Sequence, residues 1–125
     1  MKHDMVLYRQ QKAHELLREV QILIDNNLWN SAVSRMYCAC FHIVSALLVK
    51  RDINVKTHAG IRQAFALHCI KQGEIPAGVG RVFMKLHDKR QSSDYDDFIY
   101  FSEEEVLPLY TQVVAFVQAM DELLK

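Results

Sequence analysis

The run Arg90-Gln91-Ser92-Ser93-Asp94-Tyr95-Asp96-Asp97 sets a guanidinium, a carboxylate and a phenol close together. A guanidinium presents a planar fork of donors that matches a phosphate, so Arg90 is a candidate ligand-binding and catalytic residue for phosphoester chemistry. Asp94 and Tyr95 are the nearest candidate proton carriers. In their reference states the first is ionised and the second protonated at neutral pH, so a general acid–base role asks for burial. Arg90 and Asp94 also stand four apart, the helical spacing at which opposite charges pair. An ion pair closing a helix is therefore the alternative reading. Asp96, Asp97 and Glu103 to Glu105 repel phosphate unless Lys85, Lys89 and Arg90 dominate the same surface.

Two further pairs have chemistry-bearing types. Arg35 and His42 are seven residues apart, which on a helix is about 700° of rotation and about 10 Å of rise, so they leave one face without gripping one phosphate. They are candidate groove-lining ligands, or else polar residues satisfied within the apolar company of Met36, Tyr37, Phe41 and Ile43. Lys56 and His58 open a helix, where free backbone N–H groups favour an anion. His58 is a candidate ligand and proton carrier, with a structural tie to a neighbouring helix as the alternative. His14, His68 and His87 stand alone on charged faces and receive no role. Trp29, Tyr37 and Phe41 recur at helical spacing in an apolar pattern, which predicts core packing rather than base stacking.

The elements that must carry these groups are helices. Val6, Ala13, Leu16, Leu17, Val20, Leu23 and Ile24 form the stripe of an amphipathic helix from Asp4 to about Asn26. A second, from about Leu28 to Lys50, is apolar around most of its circumference, as in a helix at the middle of a bundle or between subunits. A third begins at Lys56 or Thr57 and stops at Gly73. A fourth runs from about Ala77 to Gln91, and the polar stretch Ser92 to Asp97 is predicted to be a functional loop. Ser102 with Glu105 is a capping box for a last helix, with Pro108 predicting a kink or a later start near Leu107. The expected fold class is all-α, a mostly antiparallel bundle of about five helices in one domain spanning residues 1–125.

The 125 residues carry 15 Lys plus Arg against 15 Asp plus Glu, so any nucleic-acid contact must come from a local patch. The polar start, with no apolar signal or anchor there, predicts a cytoplasmic chain that does not engage the membrane. Cys38 and Cys40 point about 200° apart on a helix, and neither the cysteines nor the histidines have metal-ligand spacing. No metal and no cofactor are expected.

Ser34-Arg35-Met36-Tyr37-Cys38-Ala39-Cys40-Phe41-His42 resembles the signature of small standalone HEPN proteins. Lys56-Thr57-His58-Ala59-Gly60, Phe65, Ile70-Lys71-Gln72-Gly73 and Arg90-Gln91-Ser92-Ser93-Asp94-Tyr95-Asp96 resemble the later blocks of that subfamily, in order. The resemblance implies a two-fold homodimer, often beside a minimal nucleotidyltransferase, in toxin–antitoxin-like or defence systems. It also implies RNA or nucleotide as ligand, and for many members a metal-independent ribonuclease built on an Arg followed a few residues later by a His. This chain has no His after Arg90. Three functions follow as expectations. The first is an RNA- or nucleotide-binding interaction module partnered with a nucleotidyltransferase. The second is a ribonuclease using Arg90 with Asp94 and Tyr95 or His58. The third is a non-catalytic helical scaffold.

Overall fold

Schellman turns close three of the helical segments, and each is centred on a residue in the left-handed region. At Asn27 (φ 59°) the Leu28 N–H returns to the Leu23 carbonyl at 2.9 Å. At Asp52 (φ 58°) Ile53 N–H returns to Leu48 at 2.9 Å, and at Gly73 (φ 78°) Glu74 N–H returns to Cys69 at 3.0 Å. Each turn satisfies carbonyls that the helix end would otherwise orphan, and it reverses the chain in very few residues. The computed structural model describes residues 1–125 as α1 (Lys2–Asp25), α2 (Trp29–Lys50), α3 (His58–Phe65), α4 (Ala77–Tyr95) and α5 (Glu103–Leu123), with no strand. The all-α, five-helix expectation holds. α3 continues into a π-helical turn, Ala66–Ile70.

α2 is the axis of the bundle. Twelve of its 22 residues are buried, and α1, α3, α4 and α5 all pack on it. It has the length and apolarity of a membrane-crossing helix, but 67% of that apolar stretch is buried inside the fold. The middle-of-the-bundle placement that its apolar circumference predicts is the one found. The chain itself covers that circumference, and α1 lies along it most extensively. Phe65, Phe83 and Phe116 are all fully buried, and Phe65 meets the other two edge-on at 5.7 and 5.5 Å between ring centroids. Close approach of α4 to the π turn requires Gly80, because a Cβ there would fall 2.8 Å from the Ile70 side chain.

Two boundaries differ from the sequence reading. α4 runs on to Tyr95, so four of the six residues of the predicted loop Ser92 to Asp97 are helical, and Arg90, Gln91 and Asp94 share its last turns. α5 starts at Glu103 under the full Ser102–Glu105 capping box, with Pro108 inside it. Proline is tolerated this early because the carbonyl it leaves unbonded is that of the solvent-exposed Glu104.

Candidate functional site

Tyr37 is 1% exposed, yet its hydroxyl reaches the floor of a cleft. The cleft has a volume of about 240 Å³ and opens between α2, the start of α3 and the end of α4. Its wall is built by helical spacing. His58 and Arg62 lie one turn apart on α3, and His87, Arg90, Gln91 and Asp94 follow one face of α4. Thr57 fixes the start of α3, its side chain accepting the Gly60 N–H at 2.9 Å, and thereby places His58 as the first helical residue.

The polar contacts converge on the phenol. Arg62 Nη1 donates to the Tyr37 hydroxyl at 3.3 Å, and that hydroxyl lies 3.3 Å from His58 Nδ1. Because Arg62 can only donate, the arrangement that uses the phenol's own proton has Tyr37 donating to Nδ1. His58 then carries its proton on Nε2. The His58 ring stacks on Phe41, with centroids 4.2 Å apart and planes 17° from parallel. The Arg90 guanidinium sits 5.2 Å over the Tyr37 ring. Its Nε is 3.4 Å from Asp94, an ion-pair distance, but buried Nε makes no hydrogen bond. Arg90 therefore has its Asp94 partner and still keeps donor capacity in the cleft.

Burial, with the two guanidiniums, shifts both imidazoles toward the neutral form. Partial burial lowers the His58 pKa, and Arg90 and Arg62 lower it further. Burial also lowers that of His87, helped by Arg62 and to a lesser degree by His58 and Arg90, while Asp88 opposes them. Proton carriers poised below their usual range beside two fixed cations can bind a phosphodiester and exchange protons with it.

Of the residues singled out in the sequence, His58, Arg90, Asp94 and Tyr95 are brought together here. Arg35, His42 and Lys56 are not. Arg35 is exposed and 3.7 Å from Glu19 on α1. His42 faces Arg9 Nη1 at 3.1 Å, and burial, then Arg9 and Lys12, push its pKa down to about 4. Lys56 is exposed ahead of the Thr57 cap and does not line the cleft. The sequence reading missed Tyr37, Arg62, His87 and Gln91. The spacings His58-x-x-x-Arg62 and His87-x-x-Arg90 were the available signal, since each puts an imidazole and a guanidinium on one helical face. The cysteines are free, and burial raises the Cys40 and Cys69 thiols.

The HEPN domain family model matches residues 6–123. A UPF0332 protein of Thermotoga maritima is 29% identical over 124 residues, covering 99% of this chain and 94% of that protein. A candidate toxin of Methanocaldococcus jannaschii is 34% identical over 113 residues, covering 90% of this chain and 84% of its own length. A second from the same organism is 34% identical over 95 residues, covering 76% and 65%. With this helical bundle and a match that takes in nearly every residue of it, the chain belongs to the HEPN domain family.

Proposed function

We propose that this is a toxin-like HEPN module whose Tyr37–His58–Arg62–His87–Arg90 cleft binds a phosphodiester of RNA or the phosphate of a nucleotide. The observation that carries the reading is the pairing of two guanidiniums with two imidazoles around one buried phenol. Arg62 and Arg90 supply the charge-assisted donors, and the imidazoles keep a dense cluster of cations from forming until an anion arrives. The module works as a homodimer and with a minimal nucleotidyltransferase as its partner in a toxin–antitoxin-like system, in line with the toxin names of two relatives. Titration of a short single-stranded RNA and of a nucleoside monophosphate at low salt tests it. Wild type should bind at least one, and Arg62→Gln combined with Arg90→Gln should abolish binding. Equal binding by both proteins contradicts the reading.

A second reading, metal-independent RNA cleavage, is favoured by the second imidazole. One histidine would accept the ribose 2′-hydroxyl proton as O2′ attacks phosphorus, and the other would protonate the departing 5′-oxygen. A 2′,3′-cyclic phosphate and a free 5′-hydroxyl would remain. Here His58, which the sequence reading offered as the alternative to Asp94 and Tyr95, is joined by His87. Incubation with RNA in EDTA decides it. Cleavage lost in both His58→Gln and His87→Gln supports this reading, and intact RNA removes it while leaving the binding reading in place.

A further inference from the structure

The end of α4, whose Tyr95 lines the cleft, and the connection that follows it to α5 turn three aromatic rings outward. Tyr95, Phe98 and Tyr100 are 80%, 86% and 79% exposed. This connection is pinned at its feet. Asn30 of α2 donates from Nδ2 to Ser93 Oγ at 3.1 Å and to the Ile99 carbonyl at 2.8 Å, and its Oδ1 accepts the Phe101 N–H at 2.8 Å. Phe101 is buried, and Ile99 packs against the core. Between these anchors Phe98 adopts φ 64°, a left-handed conformation that a phenylalanine seldom takes, and it does so with its ring in solvent. Apolar burial does not explain a strained, outward ring on a clamped connection.

The charges beside the rings sort a nucleotide into its parts. Arg62 and Arg90 lie in the cleft that Tyr95 also lines, whereas Asp96 and Asp97 lie in the connection. A strand whose phosphate sits on the guanidiniums is kept by those carboxylates from laying its next phosphate on the connection. The uncharged base is what remains for the rings. A base stacks on an aromatic face, and its exocyclic amino and ring N–H groups donate to carboxylates. Bases in a duplex have both faces stacked and their Watson–Crick edge paired, so only an unpaired base offers a face to the rings.

We propose that the Asn30-pinned connection bearing Phe98 and Tyr100, with Tyr95 at the cleft edge, is a base-stacking platform that makes the Arg62–Arg90 cleft selective for single-stranded RNA. This rests on the phosphate reading of the cleft above. The test measures anisotropy of a labelled single-stranded RNA, of the same sequence in a duplex, and of an abasic oligomer of equal length. The proteins are wild type, Phe98→Asn/Tyr100→Ser, and Arg90→Ala. Asparagine at 98 tolerates the left-handed backbone, and both rings are exposed, so the double variant keeps the fold, as its melting will verify. Wild type should prefer the single strand to the duplex. The double variant should lose roughly tenfold or more on the single strand. Its binding of the abasic oligomer should not change. If Arg90→Ala weakens binding while the double variant does not, the platform is overturned and the cleft reading stands. If neither changes binding, both fall. If the double variant instead converts a dimer to a monomer, the rings belong to an interface between copies and the platform is overturned.

Discussion

The Tyr37 hydroxyl lies 3.3 Å from His58 Nδ1 and accepts from Arg62 at the same distance, so one buried phenol orients both the imidazole and a guanidinium of the cleft. Tyr37→Phe removes this tie without removing the ring. It should cost about 0.5–1.5 kcal/mol of stability, the worth of an ordinary hydrogen bond. RNA binding should weaken as well, because His58 and Arg62 lose their common anchor. Melting curves and titrations of the same preparation check both, and unchanged binding would show that the phenol positions nothing.

His42 gives the protein an acid sensitivity of calculable sign. Its pKa is pushed down to about 4 in the fold by burial and by Arg9 and Lys12, against an ordinary value near 6.5 in the unfolded chain. Between these values the unfolded chain binds the extra proton and the folded one does not. Stability is therefore present above about pH 6.5 and is lost progressively as pH falls toward 4. The loss is at most ~3 kcal/mol, and less where water screens the partly buried ring. His42→Gln, which can still accept from Arg9, should flatten this part of the stability–pH curve. An unaltered curve contradicts the assignment.

The cleft histidines predict the opposite trend for ligand. Both pKa values are lowered, so acidification below the usual histidine range adds positive charge beside Arg62 and Arg90. RNA should bind more tightly at mildly acidic than at mildly alkaline pH, and a bound phosphate should raise both pKa values in a histidine NMR titration. If the cleft cleaves RNA, one imidazole must be protonated and the other free, which places the optimum below neutrality. Affinity that is flat with pH argues against phosphate at this site.

Gly60 holds the cleft through backbone geometry. A Cβ there would lie 2.8 Å from Val55 Cγ1 and 2.9 Å from the Thr57 hydroxyl that caps α3. Gly60→Ala should destabilise by on the order of 1–3 kcal/mol and shift His58, whereas Thr57→Ala loses only the cap, about 1 kcal/mol. Comparing the two by thermal melting separates crowding from capping. Equal small losses would show that the approach is not tight.

Light scattering at tens of micromolar addresses assembly. A homodimer should give about twice the monomer mass of 14.5 kDa. A mass near that of the monomer contradicts it.

Helix periodicity made the bundle legible because α1, α2 and α5 each carry a long apolar stripe whose period alone selects a helix. The ends were less so. α3 passes into a π turn that no residue pattern announces, and α4 outlasts Gln91 because Ser92 to Tyr95 are polar without breaking a helix. The cleft was half legible. Arg90, Asp94 and His58 stood out by type, but His87 looked isolated until α4 turned it toward α3. Tyr37 reads as core by pattern, and its ring is core. Only its hydroxyl reaches the cleft, a division that sequence spacing does not resolve. Arg35 and His42 shared a face as expected, but that face turns toward α1, where Glu19 and Arg9 meet them.

The central claim, that Arg90 receives phosphate although it pairs with Asp94, is tested most directly by the salt dependence of RNA binding in wild type and Arg90→Ala. The Arg90–Asp94 pair is about a third to a half exposed, so its loss should move stability by ~1 kcal/mol or less. Wild-type affinity should fall steeply with salt. The variant should bind more weakly, with a log–log slope shallower by about one. Identical affinity and slope in the two proteins, or no RNA binding by wild type, would contradict the account.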